Sequence, residues 1–135
     1  MEDQIIMVDT SVLIDFYRKT DKNNSVWLSL IRRKFSFVIS VITKYEIYAG
    51  ATGSQLEFWD TVLQSVKVMP LDETCVNSAV SVNTLLKKKR KQIDFADLLI
   101  ASTAIANDLP LATLNIKHFE RIENLQLVSL HPAVK

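Results

Sequence analysis

Glycine is nearly absent: Gly50 and Gly53 are the only two among 135 residues. A dinucleotide fingerprint or a P-loop needs several glycines at short spacing, so neither can be built here. Two histidines, His118 and His131, both late in the chain, are too few for a histidine-rich zinc site. Cys75 is alone, which excludes an intrachain disulfide framework and suits a reducing compartment. No apolar run is long enough to span a bilayer, and no charged-then-apolar leader opens the chain. The expectation is a cytoplasmic protein with no membrane partner. Lys and Arg number 16 against 15 Asp and Glu, a formal charge of +1. No global field favours a polyanion, so any basic surface must be local. No nucleophile-elbow motif supports a serine triad. Carboxylates are the chemical resource that remains.

Hydrophobic residues make up 48% of the chain, enough for a packed core, and the length suits one domain over 1–135. Short β-branched runs alternate with longer helical patterns. "IIMV" (Ile5 to Val8), "FSFVIS" (Phe35 to Ser40), "VKVM", "LPLAT" and "LQLVSL" read as strands. "SVLIDFYR", "SVWLSLIRR", "TKYEIYAG", "SQLEFWDTVLQS", the stretch opened by Asp72, "DFADLLIASTAIAND" and "NIKHFERI" read as helices. In the helix opened by Asp72, the expected face carries Val76, Ala79, Val80 and Leu86; in the alanine-rich helix it carries Phe95, Leu98, Leu99, Ser102, Ile105 and Ala106. Strands alternating with helices predict an α/β fold of three layers, α/β/α, around a parallel sheet of about five strands.

In an open parallel sheet, sites form beyond the carboxyl ends of strands. Asp9 follows the first strand, Glu46 lies one turn past Thr43 after the second, and Asn115 follows "LAT". Asp97 stands in the first turn of the alanine-rich helix. Each has a local explanation as well. Asp9 and Asn115 fit helix N-caps, Thr43 and Glu46 fit a capping box, and Asp94 with Asp97 imitates one. Capping does not explain why acids from several crossovers converge on one sheet edge. Converging carboxylates repel unless protonated or shared by a cation, and oxygen donors select Mg2+ or Mn2+. A cation held this way suits phosphodiester hydrolysis.

The ordered set "MVDTSVLIDF", "SVITKYEIYAG" and "IDFADLLIASTAIANDLPLATLNIKHFERI" resembles the PIN domain, and more closely the VapC-type toxins of type II toxin–antitoxin systems. The resemblance runs from about Ile5 to Val128. It implies a Mg2+- or Mn2+-dependent endoribonuclease, a hydrolase of phosphodiester bonds that leaves 5′-phosphate and 3′-hydroxyl ends. It implies Asp9, Glu46 and Asp97 as catalytic acids. Asp9 and Asp97 would hold the metal, with Glu46 as a further ligand or a group that orients water. Thr10, Ser11, Thr113 and Asn115 would support them, and Asp94 would be the structural cap. Asn115 stands where many PIN domains have a fourth acid, so a second tightly held metal is not implied. The implied partners are RNA, a small VapB-like antitoxin and a second copy of the chain in a homodimer.

The run Lys87, Lys88, Lys89, Arg90 and Lys91 is a solvated helix end or a phosphate-contacting patch beside the acids. The aromatic residues Phe16, Tyr17, Trp27, Tyr45, Tyr48, Phe58 and Trp59 gather in the first half, as core or as a groove for a partner helix. Two other readings stand beside the ribonuclease. One is a non-catalytic PIN scaffold that binds RNA or protein. The other is an aspartate-based phosphatase, which lacks the second acid of its D-x-D motif here.

Overall fold

Ile6, Met7 and Val8 are fully buried in strand β1 (Ile5–Val8), and their alternation across the pleat sends them into two separate cores. Ile6 and Val8 join Val12, Leu13, Trp27, Ile39 and Trp59. Met7 joins Val38, Leu98, Ala101, Leu111 and Phe119 on the other side. A strand buried on both faces is the signature of a parallel sheet covered by helices, which is why "IIMV" carries no polar residue. The structure, a computed structural model, describes residues 4–130. His131 lies outside the described residues.

Strands β2 (Ser36–Ser40), β3 (Lys67–Met69) and β4 (Leu111–Ala112) complete a four-stranded sheet in the order β3-β2-β1-β4. All pairings are parallel, with Met7 opposite both Val38 and Leu111. Helices α1 (Thr10–Arg18) and α2 (Val26–Arg32) connect β1 to β2. Helices α3 (Val41–Ala49) and α4 (Ser54–Leu63) connect β2 to β3. Helices α5 (Glu73–Lys88) and α6 (Phe95–Ala106) connect β3 to β4, and α7 (Ile116–Phe119) follows β4. The expected three-layer α/β/α arrangement is present.

The expected fifth strand, "LQLVSL", is reduced to one parallel bridge between Leu111 and Leu127. Pro110 cannot donate to a ladder, and beyond Ala112 the chain leaves the sheet. Leu111 alone therefore pairs on that side, donating to Gln126 O and accepting from Val128 N, both at 2.9 Å.

Two helix faces differ from expectation. In α5 the buried residues are Cys75, Ala79, Val82 and Leu86, whereas Val76 and Val80 face solvent. Helix α6 is buried nearly all round, through Leu98, Ile100, Ala101, Ser102, Thr103 and Ala104. A helix packed against both a sheet and a neighbouring helix needs no polar stripe, and Ser102 and Thr103 satisfy their hydroxyls on the carbonyls of Leu98 and Leu99. Phe95, expected on the buried face, is 73% exposed at the first turn.

The chain moves outward from β1 through β2 to β3, then crosses back to place β4 on the opposite side of β1. That reversal opens a crevice at the carboxyl ends of β1 and β4.

Candidate active site

Asp9 emerges at this crevice. It occupies the N-cap position of α1, yet its side chain makes no capping hydrogen bond. Its Oδ2 instead accepts from Ser11 Oγ at 2.8 Å and Thr113 Oγ1 at 2.5 Å. Both hydroxyls are held from behind. Leu114 N donates to Ser11 Oγ and Asn115 N to Thr113 Oγ1, each at 2.9 Å. Asp9 is 2% exposed, and among the described residues no hydrogen bond is made to its Oδ1. One oxygen is locked and the other is left for a ligand.

Glu46 reaches the same place from α3. The expected Thr43–Glu46 capping box does not form, because α3 begins two residues before Thr43 and is capped by Ser40, whose Oγ accepts from Thr43 N at 3.0 Å. Glu46 is therefore free of any role at the helix end. Its Oε1 accepts from Thr10 Oγ1 at 2.6 Å, and Thr10 Oγ1 also lies 3.1 Å from Thr43 Oγ1. The two hydroxyls after Asp9 thus divide their work: Ser11 supports Asp9, and Thr10 supports Glu46 rather than Asp9.

Asp97 projects from the first turn of α6. Its Oδ2 lies 3.3 Å from His118 Nδ1 on α7. Burial raises the Asp97 carboxyl above the usual carboxylate range; the hydrogen bond to His118 opposes this, and the charges of Asp9 and Asp94 add to it. Asp9 and Asp97 line the same cleft, and the like charge there disfavours ionisation of Asp97.

Asp94 holds the N-cap position of α6 but makes no side-chain cap bond, so its expected capping role is not seen. It is exposed and lines the cleft with the other acids. Asp94→Ala removes a favourable charge near the helix N-terminus, typically about 0.3–1 kcal/mol, and relieves repulsion with Asp97. The expected net change in urea unfolding is within about 0.5 kcal/mol, short of the ~1 kcal/mol typical of a lost cap. A full loss of that size would restore the capping role.

Asn115 sits at the N-cap position of α7, again without a side-chain cap bond, and faces the cleft. Asp9, Thr10, Ser11, Glu46, Asp94, Asp97, Asn115 and His118 all line one cavity of about 690 Å³. Sequence reasoning assigned no role to His118, although it follows Asn115 by three residues and so shares its helix face. It also missed Asp15 and Arg18, which line the cleft from α1. Counting from Ser11 in steps of four and then three would have found both.

The basic run lies outside this cleft. Lys87 and Lys88 form the last turn of α5, Lys89 pairs with the Glu123 carboxylate, and Arg90 and Lys91 line a neighbouring groove. The aromatic residues divide. Phe16, Tyr17, Trp27, Phe58 and Trp59 form a cluster of edge and tilted ring contacts beneath α1, whereas Tyr45 is 70% exposed.

A divalent cation fits the donor chemistry: carboxylates, each with one anchored oxygen and one without a hydrogen bond, lining one cleft. Among the described residues, no group of three Asp, Glu, His or Cys side chains is placed to hold a metal ion. Mg2+ does not require one, because it keeps several waters and is held by one or two carboxylates.

Residues 6–125 match the family model described as the PIN domain. The chain is 34% identical over 127 residues to Ribonuclease VapC1 of Methanocaldococcus jannaschii, covering 93% of this chain and 87% of that protein. It is 34% identical to Ribonuclease VapC10 of Mycobacterium tuberculosis, covering 90% and 91%. Among solved structures, VapBC2 from Rickettsia felis, bound to a DNA fragment from its promoter, superposes with a TM-score of 0.80 at 29% identity, over 93% of this chain and 98% of that one. VapBC-1 from nontypeable Haemophilus influenzae shares the fold at a TM-score of 0.82 and 24% identity. A sheet whose reversal point gathers these acids, a matching family model over most of the length, and relatives of this identity together establish that the chain belongs to the PIN domain family, among its VapC-type members.

Proposed function

We propose that this chain is the endoribonuclease toxin of a VapBC-type pair, acting in the cytoplasm on RNA and held in check by a small antitoxin. One observation carries the reading. Asp9, Glu46 and Asp97 reach a single cleft from three different crossovers, and none of the three is used as a helix cap. The relatives' names, VapC ribonucleases and a VapBC assembly, support the same assignment.

Asp9 and Asp97 would hold a Mg2+ or Mn2+ ion, with Glu46 as third ligand or as the group that orients the attacking water. When bound, such an ion would supply Lewis acidity toward a phosphoryl oxygen and would make water more acidic. The chain's own contribution is placement. Ser11 and Thr113 fix the rotation of the Asp9 carboxylate, and Thr10 fixes that of Glu46. His118 holds Asp97 from the opposite wall. Asn115 adds a neutral oxygen or amide at the rim. Thr113→Val keeps the shape of the side chain and removes a donor to Asp9. The expected loss is about 10- to 100-fold in cleavage rate, the usual effect of a group that orients a metal ligand. An unchanged rate would show that the short contact to Asp9 has no functional weight.

Two measurements test the proposal. Purified protein should cleave single-stranded RNA with Mn2+ and stop in EDTA. Expression of the chain alone should arrest growth, and co-expression of the neighbouring gene should relieve the arrest. Folded protein that binds RNA but never cleaves it would favour the non-catalytic scaffold.

A further inference from the structure

The cleft poses an electrostatic problem for its proposed substrate. Its walls carry five carboxylates, Asp9, Asp15, Glu46, Asp94 and Asp97, against two cations, Arg18 and Lys19, and an RNA strand brings further negative charge. Affinity for a polyanion must come from cations nearby. We propose that a second, basic groove next to the cleft seats the phosphates of the same RNA strand, flanking the bond to be cut. This rests on the ribonuclease reading and adds to it where the strand runs.

The groove has a volume of about 600 Å³ and is lined by Arg90, Lys91, Gln92, Lys117, Glu120 and Arg121. Four cations face one carboxylate there. Two short segments separate it from the cleft, and each contributes to both. The α5–α6 connection gives Arg90 to Gln92 to the groove and Asp94 to the cleft. Helix α7 gives Lys117 to the groove and its neighbour His118 to the cleft. A strand leaving the acids past α7 therefore enters the groove directly.

The groove is built rather than a chance gathering of surface lysines. Arg121 donates from Nη1 to Gln92 O at 3.0 Å, tying its two walls together. Arg90 adopts a left-handed backbone, φ +56°, just past the end of α5. Arg90 N donates to Lys87 O and Lys91 N to Leu86 O, the double bond of a Schellman stop. Glycine is the residue that suits such a position, and the chain carries arginine there instead. The turn swings Arg90 and Lys91 off the helix axis and into the groove. Lys89, by contrast, is neutralised by Glu123, whose carboxyl is held below its ordinary pKa by that contact. Of the basic run, only its last two residues therefore face the proposed strand.

The test compares two double variants with equal loss of charge. Arg90→Gln/Lys117→Gln removes one cation from each wall. Lys34→Gln/Lys67→Gln removes two exposed cations at the amino ends of β2 and β3, the far edge of the sheet. Binding to a single-stranded RNA of about 20 nucleotides is measured in EDTA against salt, at about 0.7 in slope for each phosphate contact. The groove variant should lower the slope by about 1.4 and bind several-fold more weakly, with the far-edge variant unchanged. If the double groove variant fails to fold, Lys117→Gln alone should lower the slope by about 0.7. Equal slopes in wild type and groove variant overturn the proposal, as do equal losses in both double variants, which would report net charge only. Loss of inhibition by the co-expressed antitoxin with the RNA slope intact would make the groove a protein dock and also overturn it. The wild-type protein's cleavage of RNA with Mn2+ reports separately on the ribonuclease reading. A slope change in a protein that never cleaves RNA would sink that reading and leave the groove standing.

Discussion

Asp9→Asn is expected to lower RNA cleavage by well over the ~100-fold that loss of an orienting partner costs, with the fold intact. The asparagine keeps an oxygen that can accept from Ser11 and Thr113, so the clamp around position 9 survives. What disappears is the negative charge on the side chain. Exchanging one hydrogen-bonded side chain for another of the same shape should change stability by no more than about 1 kcal/mol. Steady-state cleavage of a fluorescent RNA and urea unfolding, measured on one preparation, separate the two effects. Full activity in a folded Asp9→Asn protein would remove Asp9 from the catalytic set and with it the reason for its placement at the strand end.

Asp97→Asn should show the second large effect, with stability moving in the opposite direction to activity. Burial, together with the charges of Asp9 and Asp94, holds this carboxyl above its ordinary pKa despite the His118 contact. A carboxyl whose folded pKa is raised contributes stability that is fully present below its unfolded pKa, about 4, and lost as pH rises through the folded value. As pH rises above about 4 the metal-free wild type therefore loses stability through this group. The asparagine does not titrate. Metal-free Asp97→Asn should melt above wild type at neutral pH, with the gap closing as pH falls below about 4, while RNA cleavage is lost. Mn2+ should raise the melting point of wild type and leave the variant nearly unmoved, since a ligand stabilises only the state that binds it. A variant that melts below wild type without metal, or gains as much from Mn2+, would contradict the assignment.

The sites of these acids were legible in the sequence because they are local signals. A buried run without polar residues that ends in Asp9 marks a strand end, whatever the rest of the chain does. The capping alternatives were equally legible and could be weighed only in three dimensions. Thr43 and Glu46 have the spacing of a capping box, but Ser40 starts the helix three residues earlier, so the spacing is coincidental. Asp94 has the right position and the wrong side-chain geometry. The face of α5 was misjudged because Val76 and Val80 are apolar yet exposed, and hydrophobicity alone does not distinguish a tolerated surface valine from a core one. The fifth strand was overread because pairing needs a partner edge, and β4 offers only two residues. The contact of His118 with Asp97, and the union of Arg90 and Lys91 with Lys117 and Arg121, join segments that no local pattern connects.

The hydroxyl of Thr113 that grips Asp9 comes from 104 residues further along the chain. During translation at about 5–20 residues per second, that interval lasts roughly 5–20 s. Throughout it the nascent chain carries the first acid of the cleft without the strand β4 beside it or the threonine that orients it. Asp97, too, is made late. A chain that ends anywhere before Thr113 lacks the hydroxyl that grips Asp9, so an aborted fragment never holds the completed cleft. The order of these residues along the chain thus postpones completion of the cleft until β4 and the threonine beyond it have been made.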